Sequence, residues 1–309
     1  MDQRARTLGL LAVFSAVMCF AISFSVIKWP GIPGSVIAWW RLIGSSILWW
    51  TLLLVRRART GHPLPTARTW RIVLLPAIFF GLQIAILFTA VTRTSVAHSE
   101  FIMALGPFLL LPLGFIVFRE RPHWPALRWG VMSLVGMVIV LFTGDSKGVA
   151  TWQGDVLTGF ALLFLVSYLA ASKWARQRGA DVWETMAIVM PLALIPATPI
   201  AVTLAGDEMW PLPWQAWVAV GTLSVLTGMV GHGLLYYAQR AVPIATISTI
   251  QVSQPALSVM WAWLLLGEQI SASQVPGMVL VMLGLVLVVW TSQRAAARPQ
   301  PVPTPTAGQ

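Results

Sequence analysis

The chain has 309 residues, of which 57% are hydrophobic and 10% are charged, and its formal net charge at pH 7 is +10. A soluble domain usually carries about 25% charged residues, so this chain has too few polar side chains to cover a water-facing surface. The positive charge lies in short Arg runs between apolar segments, which is typical of membrane topology signals. We therefore expect the chain to lie in the lipid bilayer and not to bind nucleic acid.

Ten apolar segments follow one another along the chain, and a membrane-spanning helix needs about 20 such residues. Their long apolar runs do not alternate with period two, which excludes a β-barrel. The connections are short and leave no room for a soluble domain, so the function must lie within the bilayer. The predicted spans occupy residues 8–27, 35–55, 70–91, 96–118, 124–142, 156–172, 183–205, 214–238, 245–266 and 273–290.

The orientation follows from the Lys and Arg residues of the connections, which are enriched on the cytoplasmic side. With the N-terminus inside, 16 of the 20 basic residues are cytoplasmic and three (Lys28, Arg93 and Lys147) are outside, while Arg41 lies within a span. This bias predicts a multi-pass membrane protein of ten spans with both termini inside. Its N-terminus (1–7) and a disordered tail (292–309) are both expected to be cytoplasmic.

The two halves of the sequence align without a gap at an offset of 148 residues. Pro107 matches Pro255, Glu120 matches Glu268 and Gly136 matches Gly284, while Lys28-Trp29 matches Lys173-Trp174 at an offset of 145. Each half (8–143 and 156–291, joined by an extracytoplasmic linker at 144–155) holds five spans. Because five is odd, the second half enters the membrane with opposite orientation. The fold class is therefore an all-α membrane protein of two inverted five-helix repeats around a central cavity, as in many secondary transporters.

Both halves end the fourth helix in a Glu that precedes a Gly-bearing fifth helix. The first half has Phe118-Arg119-Glu120-Arg121-Pro122, and the second has Leu266-Gly267-Glu268-Gln269. With the Ala38-Trp39-Trp40-Arg41-Leu42 stretch, this pattern resembles the EamA-like family of the drug/metabolite transporter superfamily. The resemblance implies a ten-helix basket with a central cavity and the export or exchange of small metabolites, amino acids or drugs. The family's usual Trp-Gly-Ser/Asn pattern is replaced in the first helix by Phe20-Ala21-Ile22-Ser23.

Polar residues within the spans are the candidates for the substrate cavity, because such residues face protein or water rather than lipid. Spacings of three and four place the members from the fourth and ninth helices on one face of each helix, and we infer that these faces oppose one another across the cavity. The alternative is hydrogen bonding between helices. The candidates are Gln83, Glu100, Met103 and Pro107 in the first half, and His232, Tyr236, Ser248, Gln251 and Pro255 in the second.

Glu100 is the candidate for proton coupling, since its protonation would remove a charge from the span. Alternatively, it is an interfacial residue paired with Arg93. His98 lies two positions away and points about 200° from Glu100 on a helix, so the two cannot share one narrow cavity. We expect Glu100 to be the inward-facing residue.

Three further charged residues have two interpretations each. Arg41 could hold a carboxylate or phosphate, but it could equally extend outward to lipid phosphate, which we slightly favour. Glu120 and Glu268 end equivalent helices, where a negative charge is unfavourable. We interpret both as structural or gating residues that pair with a neighbour or with the start of the next helix, rather than as substrate ligands.

The sequence lacks an ATP-binding loop and the metal-binding His-Glu-x-x-His motif. We therefore expect no catalytic residue, cofactor or metal, and transport driven by the substrate gradient or by ion coupling. The predicted function is a secondary transporter that moves a small molecule by alternating access. The alternatives are a flippase for lipid-linked substrates, a membrane-embedded enzyme and a non-transporting sensor. Gly130, Gly136, Gly277 and Gly284 allow close packing of the fifth and tenth helices, within one chain or in a homodimer.

Overall fold

The computed structural model describes residues 3–106, 109, 113, 116, 124–143, 150–241, 247 and 250–296. No β-strand occurs among these residues, which confirms the all-α fold class. The helices are α1 (Gln3–Ala21), α2 (Ser23–Lys28), α3 (Gly34–Thr60), α4 (Ala67–Val91), α5 (Val96–Met103), α6 (Trp124–Thr143), α7 (Trp152–Gln177), α8 (Val182–Leu192), α9 (Leu194–Ala205), α10 (Trp214–Thr222), α11 (His232–Ala241), α12 (Gln254–Leu266) and α13 (Val275–Ala296), with a 3-10 turn at Gly206–Met209 and a π-helix at Leu223–Gly231.

Described helices overlap all ten predicted spans. Among the described residues, six stretches are long and apolar enough to cross a membrane, and three shorter apolar helices lie at Arg128–Thr143, Gln254–Leu266 and Val275–Thr291. Large apolar side chains point outward, including Phe142 at 84% exposed and Trp152 at 70%. Such a surface suits contact with lipid. The fold is that of an integral membrane protein.

Several predicted single spans are interrupted. The first consists of α1 and α2, the seventh of α8 and α9, and the eighth contains the π-helix. The break between α8 and α9 has a simple cause: Pro196 lacks the N–H that would bond the carbonyl of Leu192. Helix ends are defined by local signals, such as Thr66 before α4, whose hydroxyl accepts a hydrogen bond from the Thr69 N–H, and Gly61 after α3, which has φ 67°.

The inverted symmetry is visible where α6 packs against α13. A Cβ atom added to Gly136 would lie 2.7 Å from the carbonyl oxygen of Gly277 and 2.7 Å from the nitrogen of Val281. A Cβ atom added to Gly284 would lie 2.8 Å from the carbonyl oxygen of Trp129 and 2.9 Å from the nitrogen of Ser133. Each of these contacts becomes the other when 148 is added or subtracted. The glycines therefore serve packing between the two halves of one chain.

Candidate functional site

The fourth and ninth predicted spans are broken at equivalent positions. Helix α5 ends in a turn at Ala104-Leu105, and a turn at Val252-Ser253 precedes α12. The Leu105 N–H bonds the carbonyl of Ile102 at 3.1 Å, and the Ser253 N–H bonds that of Ile250 at 3.0 Å. These two hydrogen bonds are related by the 148-residue offset.

A proline follows each turn by two residues, at positions 107 and 255. Pro255 is buried at the start of α12, and it cannot donate a hydrogen bond to the carbonyl of Gln251. Pro107 lies outside the described residues, and like Pro255 it has no N–H to donate. Met103 and Gln251 are half-buried. Discontinuous helices at matching places in two inverted halves are a hallmark of transporter binding sites.

Glu100 lies one turn before the first of these breaks. Its side chain is 2% exposed, and its Oε1 accepts a hydrogen bond of 2.6 Å from the hydroxyl of buried Ser258 on α12, with Gln254 as a second partner. The structure therefore pairs Glu100 with the ninth span rather than with Arg93, which is exposed. At this level the two helices touch directly, through the kind of helix–helix hydrogen bond that the alternative interpretation of these polar faces expects.

Arg41 lies inside the bundle, in the second turn of α3. It is 7% exposed, its Nη2 donates a hydrogen bond of 3.3 Å to the hydroxyl of Thr227, and its guanidinium carbon is 5.4 Å from the centre of the Phe88 ring. The favoured expectation that Arg41 extends to lipid phosphate is therefore wrong. The side chain is held between α3, α4 and the π-helix.

Thr227 joins Arg41 to His232, which begins α11. The Nδ1 of His232 lies 2.7 Å from the carbonyl oxygen of Thr227, and because a carbonyl only accepts, Nδ1 carries the proton. The His232 ring packs edge-on against Phe20 at 5.2 Å between centroids. π-helical segments are common at functional sites, since the extra residue per turn reorients side chains.

For the other predicted candidates, the structure gives at most burial and position within a helix. Gln83 is buried within α4. Tyr236 belongs to α11, but its side chain lies outside the described part of the structure, as do the residues Pro107, Ser248 and Glu120.

A polar network joins the two halves at one end of the bundle, and we call it the end network. Lys28 forms an ion pair with Glu268 and donates a hydrogen bond of 2.8 Å to the carbonyl of Thr94. The second carboxylate oxygen of Glu268 accepts a hydrogen bond of 2.9 Å from the Val96 N–H at the start of α5. Glu268 thus pairs with a neighbour, as expected, although the helix start is α5 rather than the next helix in the chain.

Asp155, in the first turn of α7, continues this network. Its carboxylate accepts a 2.6 Å hydrogen bond from the Thr94 hydroxyl and lies 3.1 Å from Nδ1 of His98. The other ring nitrogen of His98 is 3.2 Å from the Gln274 amide nitrogen, which also donates to the carbonyl of Val140. The end network therefore comprises Lys28, Thr94, His98, Asp155, Glu268 and Gln274.

A surface pocket with a volume of about 400 Å³ opens beside the end network. Lys28 contributes to both the pocket wall and the network. Arg93 and Glu208 supply further charges, and Ser35, at the start of α3, is 1% exposed and has a hydroxyl without a partner. The lining of the pocket includes residues of both halves, with Leu204 and Glu208 from the second.

Sequence reasoning did not identify Thr227, Asp155 or Gln274 as site residues. The signal for Lys28 was present, because Lys28-Trp29 recurs as Lys173-Trp174. Asp155 is one of only ten acidic residues and directly precedes a predicted span, which could have drawn attention to it. Nothing in the sequence marked Thr227 as a site residue, since an isolated Thr in a membrane helix is ordinary.

The fold and these sites define the class: a helical membrane transporter with two inverted repeats. The model of the EamA-like transporter family matches residues 7–142 and again 152–290. The chain therefore belongs to this family, within the drug/metabolite transporter superfamily.

The chain is similar to two bacterial proteins over most of its length. It is 27% identical over 228 residues to the uncharacterized transporter YwfM of Bacillus subtilis, covering 71% of this chain and 73% of that protein. It is 23% identical over 202 residues to the threonine/homoserine exporter RhtA of Salmonella typhimurium, covering 65% and 66%. A crystal structure of another protein superposes with a TM-score of 0.60 at 16% identity, covering 96% of this chain and 100% of that one. This last likeness shows the fold alone.

Proposed function

We propose that the protein is a secondary transporter that moves a small metabolite, amino acid or drug across the inner membrane by alternating access, as an exporter or exchanger. The observation that carries the proposal is the pair of matched helix breaks at Ala104-Leu105 and Val252-Ser253. Breaks at symmetry-related positions free backbone carbonyls near the centre of the membrane, where a solute can be held between the halves.

The end network supports the conformational part of the proposal. Lys28 and Glu268 come from different halves, so their ion pair holds the two halves together at one end. Their sequence equivalents in the repeat are Lys173 and Glu120. Because the halves are inverted, equivalent residues belong at opposite ends of the membrane.

The charge bias of the connections assigns the sidedness in this proposal. It puts both termini in the cytoplasm and the end network outside. The structure would then correspond to a conformation closed toward the outside. The similarity to an exporter of threonine and homoserine favours amino acids as the first substrates to test and export as the direction.

Counterflow in proteoliposomes tests the proposal. Vesicles that contain the purified protein and are loaded with one unlabelled solute should accumulate the same labelled solute from outside, and empty vesicles should not. The panel contains amino acids, sugars and cationic drugs. No exchange of any solute, together with rapid movement of labelled lipid between leaflets, would refute solute transport and favour a flippase.

A variant links the flux to the helix breaks. Pro255→Ala restores the missing N–H and allows the helix to continue through Gln251, so we expect exchange to fall at least tenfold. Pro199→Ala is the matched control, since Pro199 also lies within a helix but is exposed on α9. Equal loss in both variants, or in neither, would contradict a role for the break.

A further inference from the structure

Arg41 is a buried cation without a matching anion in the described part of the chain. No carboxylate of a described residue lies within 4 Å of its guanidinium group. Its Nε has no hydrogen-bond partner, and its bond to Thr227 involves Nη2 alone. Elsewhere in these residues, Lys28 is paired with Glu268, and the buried Glu100 carboxyl group has two neutral hydrogen-bond partners, Ser258 and Gln254. Arg41 differs because its Nε has no partner at all among the described residues. Burying an unpaired charge is costly, so an unmatched Arg within a span indicates a missing partner.

A second polar group without a partner lies beside this cation. Ser45 is one turn after Arg41 on the same face of α3, is 1% exposed, and its hydroxyl has no hydrogen-bond partner among the described residues. This face packs on the π-helix, where a Cβ atom added to Gly228 would lie 2.9 Å from the Ser45 hydroxyl oxygen. Trp49, one turn further along, donates a hydrogen bond of 3.1 Å to the carbonyl of Gly228. Within the described part of the chain, Arg41 Nε and the Ser45 hydroxyl can therefore still donate hydrogen bonds to a ligand, and no carboxylate forms an ion pair with Arg41.

The charge of this cluster selects the ligand class. Arg41 carries a single positive charge, and the neighbouring side chains Thr227 and Ser45 are neutral hydroxyls. His232 is within electrostatic range of Arg41, with its Nδ1 already used on the carbonyl of Thr227. One guanidinium fork matches one carboxylate in charge and in planar geometry. A phosphate, with up to two negative charges, would call for a second cation.

We propose that Arg41, with Thr227 and Ser45, binds the carboxylate group of the transported solute. This inference rests on the proposed transport function and narrows the substrate to small carboxylates, such as amino acids or organic acids. The buried carboxylate of Glu100 is not the anion that pairs with Arg41, because it is already hydrogen-bonded to Ser258 on another helix.

Ligand-dependent thermal unfolding of the purified full-length protein tests the proposal. The probes are the amino acids and short mono- and dicarboxylates, each beside its uncharged amide, together with inorganic phosphate. At least one carboxylate should raise the melting temperature with an affinity at least tenfold above that of its amide. Arg41→Gln should lower that affinity at least tenfold, and Arg41→Lys, which keeps the charge but loses the fork, should fall between.

Arg59→Gln is the matched control, because it removes the same charge from an exposed position on the same helix. Amides that bind as tightly as carboxylates, binding that Arg41→Gln leaves unchanged, or stabilisation by phosphate alone would each overturn the inference. Arg41→Gln must remain monodisperse and helical by circular dichroism, and Arg41→Lys carries the test if it does not.

The two proposals fail in distinguishable ways. Counterflow of a solute and its amide at equal rates, insensitive to Arg41→Gln, overturns the carboxylate site and leaves the transporter intact. Arg41-dependent binding of a carboxylate that never exchanges across the membrane supports the site and contradicts transport.

Discussion

Replacing Glu268 by Gln should open the end of the bundle that the end network closes. The substitution keeps an acceptor for the Val96 N–H but removes the ion pair with Lys28. The side chains of Lys28 and Glu268 are only 14% and 13% exposed. A hydrogen bond to a charged group contributes about 1.5–3 kcal/mol. A loss of about 2 kcal/mol raises the ratio of open to closed molecules by about 30-fold while the open state stays minor, since every 1.4 kcal/mol is tenfold.

The opening can be measured by the rate at which a buried thiol is labelled. Ser99 lies on α5 beside His98, is 0% exposed and has a hydroxyl without a partner in the described structure, so Ser99→Cys breaks no hydrogen bond seen there. With Cys19, the only cysteine, replaced by Ser, a membrane-impermeant thiol reagent reports a single site in nanodiscs. The labelling rate should rise by about 30-fold in Glu268→Gln, in proportion to the open population.

Arg56→Gln is the control for this experiment. Arg56 pairs with Asp181, also across the two halves, but these side chains are 32% and 39% exposed, so the pair contributes little. An unchanged labelling rate in Glu268→Gln, or an equal rise in Arg56→Gln, would refute the role assigned to the buried pair.

Three further substitutions test separate parts of the structure. Gly284→Ala should destabilise the protein by about 1–3 kcal/mol in thermal unfolding, because the added methyl group meets the backbone of α6 at Trp129 and Ser133. Gly159→Ala is the control and should not destabilise the protein, because the added methyl group meets no described atom within 4 Å. Glu100→Gln should preserve solute exchange but abolish its acceleration by a proton gradient, if Glu100 carries the coupled proton; retained acceleration would contradict proton coupling through this residue. Ser258→Ala removes one hydrogen bond to Glu100 and should lower stability by about 1.5–3 kcal/mol, measured by the same unfolding assay.

Patterns that repeat along the chain predicted the fold well. Hydropathy located the spans because lipid imposes long apolar helices, and the 148-residue offset identified the inverted halves from residues as different as Glu120 and Gly136. The structure confirms the helical two-repeat fold and relates the contacts of Gly136 and Gly284 by the same offset. What hydropathy could not resolve was the interior of a span. The break at Ala193 and the π-helix at Leu223–Gly231 depend on single prolines and on local packing.

The site was predictable where a residue type alone is unusual in a membrane, as for Glu100. Its partner depended on which helices meet, and that is a tertiary property. The prediction for Arg41 was wrong because it, too, depended on which helices meet. Its position near a helix end made lipid contact the natural prediction, and only the packing of the π-helix beside α3 places it inside. Polar residues at span ends, such as Asp155 and Gln274, resemble ordinary interfacial residues until the halves are brought together.

Reversible cross-linking across the end network tests the central claim of alternating access most directly. Lys28→Cys and Glu268→Cys, introduced together in the background without Cys19, can be joined by a short bis-methanethiosulfonate reagent, since the original side chains together span more than a disulfide does. The cross-linked protein should lose solute exchange in proteoliposomes and recover it when a reductant cleaves the link. Exchange that continues at the same rate in fully cross-linked protein would contradict transport by rocking of the two halves.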